Sequence, residues 1–127
     1  MADTGIEIRA NVETRLRIEV DMAQNEHWWL NTDVMVRATV FDRDDKTWLN
    51  DATVTGVLED NNGDAVSGAD SITFDHTDGT NGEYVGNVPD TASIVDGEQY
   101  TLVITAIAEA GHKGTKYVTR TARKDAA

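Results

Sequence analysis

The stretch "DVMVRATVF", Asp33 to Phe41, decides the fold. Val34, Val36, Ala38 and Val40 alternate there with Met35, Arg37, Thr39 and Phe41. In an extended strand successive side chains point to opposite faces, so this stretch has one apolar side and one mixed side. A helix would scatter the same residues around its circumference, so the period of two argues for a strand.

The same period recurs on both sides of it. Upstream, "TRLRIEV" sets Leu16, Ile18 and Val20 against Arg15, Arg17 and Glu19. Downstream, "ATVTGVLED" carries Val54 and Leu58 around Gly56, and "SITFDH" puts Ile72 and Phe74 on one side. "GEYVGNV" aligns Tyr84, Gly86 and Val88, while "QYTLVITAIAE" aligns Tyr100, Leu102, Ile104 and Ala106. "TKYVTRTA" closes the series. Between these runs lie "DNNGD", "HTDGTNGE", "VDGE" and "EAGHKG", rich in the Asn-Gly and Asp-Gly pairs that supply positive φ. In "DNNGD" that conformation is expected at Asn62 and Gly63. The lone proline, Pro89, ends a strand instead of interrupting one. About seven short strands joined by turns predict an all-β antiparallel sandwich, with a small β-barrel as the alternative.

With 127 residues the chain has the size of a single domain, and it contains no cysteine to staple it or to bind a metal. The N-terminus lacks the basic-then-apolar signature of a secretory signal, and no run approaches the length of a membrane span. These features predict a soluble protein made in a reducing compartment. The formal net charge of −12 argues against nucleic acid and anionic membrane as partners. The charge is also polarised. Asp42 to Glu109 holds 15 acidic residues against Arg43 and Lys46, whereas Gly111 to Ala127 holds five basic residues against Asp125. Residues 111–127 therefore read as a basic strand and tail, and residues 1–20 as an added strand or an arm reaching a neighbour. An acidic body and a basic tail suit either a solvated surface or attraction between copies in a symmetric assembly.

Tryptophan carries the strongest hint of function. In "NEHWWLNTD", Trp28 and Trp29 are adjacent, so a strand would send them to opposite faces. One belongs to the core and the other to a contact. Trp48 stands in "DDKTWLND", at a loop or strand end. Trp28, Trp29, Leu30, Trp48 and Leu49 together form the candidate protein-binding patch, since tryptophan is enriched at interface centres. An aromatic platform for sugars is the competing use of the same rings.

Catalytic signatures are sparse. His27, His76 and His112 have no metal-ligand spacing, and no serine sits in a nucleophile elbow. The chain is read as non-enzymatic and without a cofactor. Asp60, Asn62 and Asp64 in "DNNGD", and the carboxylates of "DRDD" (Asp42, Asp44, Asp45), are the calcium candidates. A turn that needs Asn and Gly for its backbone is the stronger explanation of "DNNGD".

"ATVTGVLEDNNGDAVSGADSITF", "GTNGEYVGNVP" and "DGEQYTLVITAIAEAG" resemble the middle, the Gly-x-Tyr strand and the penultimate strand of bacterial immunoglobulin-like domains. The resemblance covers roughly 52–122. It implies an immunoglobulin-like sandwich, with Tyr100 as a corner tyrosine bonding back to the chain. The chain lacks the cysteine pair of antibody domains. Stand-alone domains of this kind serve in tailed bacteriophages as head decoration, neck, tail or fibre parts, assembled in the host cytoplasm. The expectation is a structural virion protein whose partners are other virion proteins or copies of itself. The alternative is a carbohydrate- or cell-surface-binding module, possibly calcium-stabilised, located outside the cell.

Overall fold

The computed structural model describes residues 15–22 and 27–124. Among them are nine strands and no helix: β1 (Leu16–Asp21), β2 (Trp28–Trp29), β3 (Val34–Asp42), β4 (Thr47–Trp48), β5 (Thr53–Glu59), β6 (Ile72–His76), β7 (Glu83–Val88), β8 (Gln99–Ile107) and β9 (Lys113–Arg123). The seven runs with period two became β1, β3 and β5 to β9. The alternation in "DVMVRATVF" is a real facing: Val34, Val36, Ala38 and Val40 are buried, while Met35 and Arg37 look outward.

Hydrogen bonds link the strands in the order β1-β3-β7-β6-β5-β8-β9-β2, with β4 attached to β3. The path does not break into two sheets. It passes through β6, which divides its pairing. Phe74, Thr73 and Ile72 pair with Val54, Thr55 and Gly56 of β5, whereas Asp75 and His76 pair with Val85 and Tyr84 of β7. The result is a curled sheet resembling half a barrel, which brings β1 back against β9. Gly114 shows how close that approach is, because the Leu16 backbone occupies the place where a Cβ would stand.

Two glycines make the fold at β6 possible. The Phe74 ring lies where Cβ atoms on Gly56 of β5 and Gly86 of β7 would come within 2.9 and 2.7 Å. One aromatic ring thus fills the corner between the two halves. The core is a single cluster drawn from the inward faces of both halves. It includes Leu16, Ile18, Val36, Val40, Leu58, Phe74, Tyr84, Leu102, Ile104 and Val118.

Two expectations differ from the structure. The sheet is mixed and not wholly antiparallel, because β2 pairs in parallel with β9 through Trp28↔Ala122 and Trp29↔Arg123. Two strands, β2 and β4, have only two residues each, too short to show a period. Of the two readings of residues 1–20, the described part takes the added strand, since β1 pairs antiparallel with β3 from Leu16↔Asp42 to Asp21↔Arg37. Residues 1–14 and 125–127 lie outside the described residues. In "DNNGD" the left-handed conformation falls on Gly63 (φ 84°) and not on Asn62, and Asn31 (φ 58°) and Lys46 (φ 55°) adopt it without a glycine to signal it.

Candidate functional site

Trp28 is fully buried. Its indole N–H donates to the Tyr100 carbonyl oxygen at 3.0 Å, which satisfies the one polar atom that burial would strand. Trp28 is therefore core and drops out of the contact patch. Trp29 points the other way, half-buried at the core margin, with the His27 ring edge-on at 5.2 Å. Leu30 is also half-buried and donates its N–H to the Arg123 carbonyl at 2.9 Å. The adjacent pair is split as strand geometry demands.

Trp48 is the exposed tryptophan, 41 % accessible on β4. Its ring meets Phe41 of β3 edge-to-face at 4.8 Å, and the Arg17 guanidinium of β1 lies 5.2 Å from the Phe41 centroid. The register explains the row, because Arg17 is paired with Phe41 and Phe41 with Trp48. Cross-strand neighbours of this kind sit within contact of one another. A cation and two aromatic rings thus form one ladder on the outer surface.

The ladder stands on a fixed frame. Leu49, next to Trp48 and half-buried, donates its N–H to the Val40 carbonyl at 3.0 Å. The buried Tyr84 donates its hydroxyl to the Leu49 carbonyl at 2.8 Å and accepts the Ala52 N–H at 2.9 Å. Burial pushes the Tyr84 hydroxyl above its ordinary pKa, so it stays a donor at neutral pH. The Asn50 side-chain oxygen accepts the Gly82 N–H and lies 3.1 Å from His76 Nε2. His76 Nε2 also lies 3.2 Å from the Thr80 carbonyl. Both neighbours are acceptors, so Nε2 carries a proton.

Beneath the ladder, Arg15 grips Asp42. Its Nε and Nη2 donate to the two carboxylate oxygens at 2.9 and 3.2 Å. Asp42 Oδ1 also accepts the backbone N–H groups of Asp44 and Asp45 at 3.0 and 3.2 Å. The Arg15 hydrogen bond holds the Asp42 carboxyl below the usual carboxylate range, against a burial that pushes it up. The same bond raises the Arg15 guanidinium. "DRDD" is thus an arginine-clamped turn, its central carboxylate already fully engaged.

The predicted patch is not one surface. Trp48 lies at the Leu16–Asp42 end of β1 and β3, and it is Leu16 of that end that sits against Gly114 of β9. Trp29 and Leu30 lie at the Ala122–Arg123 end of the same strand. Eight residues of extended chain separate these ends by about 26 Å. Phe41 and Arg17 take the places beside Trp48 that were assigned to the Trp28–Leu30 group. Their signal was in the sequence: Phe41 is an aromatic on the polar side of its strand.

The calcium candidates do not converge either. Asp60 Oδ1 accepts the N–H groups of Asn62 and Asp64 at 2.8 and 3.0 Å, so its oxygen closes the turn. Among the described residues no group of three or more His, Asp or Glu side chains comes together as a metal site.

No family model and no curated protein matches the chain. Among solved structures, the fold is similar to that of a DUF4426 family protein from Pseudomonas aeruginosa PAO1. The TM-score is 0.52 at 13 % identity, over 87 % of this chain and 90 % of that one. At that identity the likeness concerns the fold alone. Among the described residues no helix is long and apolar enough to cross a membrane.

Proposed function

We propose that this chain is a non-enzymatic structural protein that works by protein–protein contact within a larger assembly, a tailed-phage particle being the setting its resemblance favours. The observation that carries the reading is the Trp48–Phe41–Arg17 ladder. A tryptophan left 41 % accessible on a frame tied down by Tyr84, Asn50 and Arg15 is pre-ordered for contact. Little side-chain freedom is then lost when a partner covers it, which favours affinity. Tryptophan and arginine are also the residues that dominate binding energy at interface centres.

The finer fold in this proposal is immunoglobulin-like. Two features favour it. The strand sequence β1-β3-β7-β6 followed by β5-β8-β9 has the connectivity of the ABED and CFG sheets. Tyr100 accepts the Val95 N–H at 2.9 Å through its hydroxyl, as a corner tyrosine does.

The test uses native material. Particles are sedimented away from soluble protein, and the chain is quantified in each fraction by mass spectrometry against the main shell protein. A fixed ratio in the particles is expected, and its value distinguishes shell, ring and fibre. Recovery only in the soluble fraction would remove the virion setting. Quenching of tryptophan fluorescence by soluble glycans would instead favour the carbohydrate-binding alternative.

A further inference from the structure

The outer face of β6, β5, β8 and β9 is unlike the rest of the surface. Its interior positions are Thr73 on β6; Thr53, Thr55 and Val57 on β5; Thr101, Val103, Thr105 and Ile107 on β8; and Thr115, Tyr117, Thr119 and Thr121 on β9. None is charged, in a chain with 34 charged side chains. The charges of this face, Asp75, Glu59, Lys113 and Arg123, stand at or next to strand ends. The Thr101 and Thr119 hydroxyls bond to each other at 2.8 Å, so part of the face's polarity is already satisfied.

We infer that this face is where a second copy of the chain docks, forming a two-fold dimer with sheet stacked on sheet. Charge is the first argument. Each copy carries −12, so approach through any charged region brings like charges together or strips water from them. This face avoids both.

Self-complementarity is the second. A two-fold axis running along the strands between β5 and β8 exchanges those two strands. Val57 is paired with Val103, and Thr55 with Thr105, so each would lie over its own cross-strand partner in the other copy. The same axis exchanges the β6 and β9 edges. It brings Lys113 of one copy over the Asp75 corner of the other, because Asp75 lies in the Thr53–Ile107–Lys113 row. Opposite charges therefore meet at that corner, and no charge lies at the centre.

Area is the third. Four strands about 4.8 Å apart and about 25 Å long cover roughly 450 Å² in projection. Two such faces hide about 900 Å² before side-chain relief is added, near the roughly 1,000 Å² that marks the smallest specific interfaces. The dimer is therefore weak and reversible. It deepens the reading of a contact protein but stands apart from the phage setting, because the measurement uses purified chain without particles.

Sedimentation velocity is run from about 10 µM to about 500 µM, a span suited to a weak interface. The expected result is concentration-dependent dimer that grows stronger with added salt, because salt screens the repulsion between two acidic bodies. Val103→Lys places like charges at the centre and is expected to weaken association at least tenfold, while Thr39→Lys on the opposite outer face leaves it unchanged. Circular dichroism checks that each variant is folded, and Thr105→Lys replaces Val103→Lys if the latter is not. Monomer at every concentration and salt would overturn the inference and leave the face to a different partner. A dimer indifferent to the folded central lysine variant, or one dissolved by salt, would overturn it as well.

Discussion

Trp28 and Trp48 each sit on a strand of only two residues, yet one is fully buried and the other is the most exposed aromatic among the described residues. Neither residue type nor local element explains the difference. Neighbouring strands do. β2 lies beside the C-terminal end of β9, where Trp28 closes one end of the core over the Tyr100 carbonyl. β4 lies beside the outward-facing end of β3, where Trp48 can reach only the outer ring of Phe41. Tryptophan supplies a large apolar area in both places. At one end the chain itself covers that area, and at the other the ring stays 41 % accessible.

The contrast breaks first if Trp28 is removed. Trp28→Ala empties a buried site of indole size and should cost about 3–5 kcal/mol, read as a lower urea midpoint. A loss comparable to that of an exposed residue would place Trp28 outside the core. Tyr84→Phe sharpens the other half, by testing the frame under Trp48. It strands the Leu49 carbonyl and the Ala52 N–H and should cost about 1–2 kcal/mol. The exposed Trp48 emission should also change, because the segment that carries it is loosened.

Arg15→Met gives a smaller effect with a pH signature. The Asp42 carboxyl is depressed in the folded state, so its stabilising contribution is complete above the unfolded value of about 4 and is lost as pH falls through the folded value. Arg15 stays protonated throughout. The variant should melt below the wild type at neutral pH, and the gap should close under acid. A gap that stayed constant with pH would mean that the Arg15–Asp42 pair is not the source of the difference. Trp48→Ala is the mildest for stability. It should cost less than about 1 kcal/mol, because the ring gives up only partial burial.

Much of this was legible in the sequence. The core faces of β3 and β8 follow from strict alternation, because a half-buried strand has no other way to hide Val36 or Leu102. The bond of the Tyr100 hydroxyl back to the chain at Val95 was expected only from the resemblance. The pairing of β2 with β9 was not, since two residues carry no period and a parallel partner so distant in the chain leaves no local trace. The Arg15–Asp42 clamp was hidden for the same reason, with 27 residues between its members. The tryptophans were read as one patch because sequence shows which side chains want cover but not which end of the molecule they occupy. The uncharged threonine face was written in β5, β6, β8 and β9, yet it becomes a face only once these strands are neighbours.

The central claim is that Trp48 serves a partner and not the fold. The most direct measurement offers wild-type and Trp48→Ala chains in equal amounts during particle assembly, with both shown to be folded by circular dichroism. Their ratio in the sedimented particles is then read by mass spectrometry. The account predicts wild type enriched at least about tenfold, as expected when an interface-centre tryptophan is lost. A ratio in the particles equal to the input would contradict it.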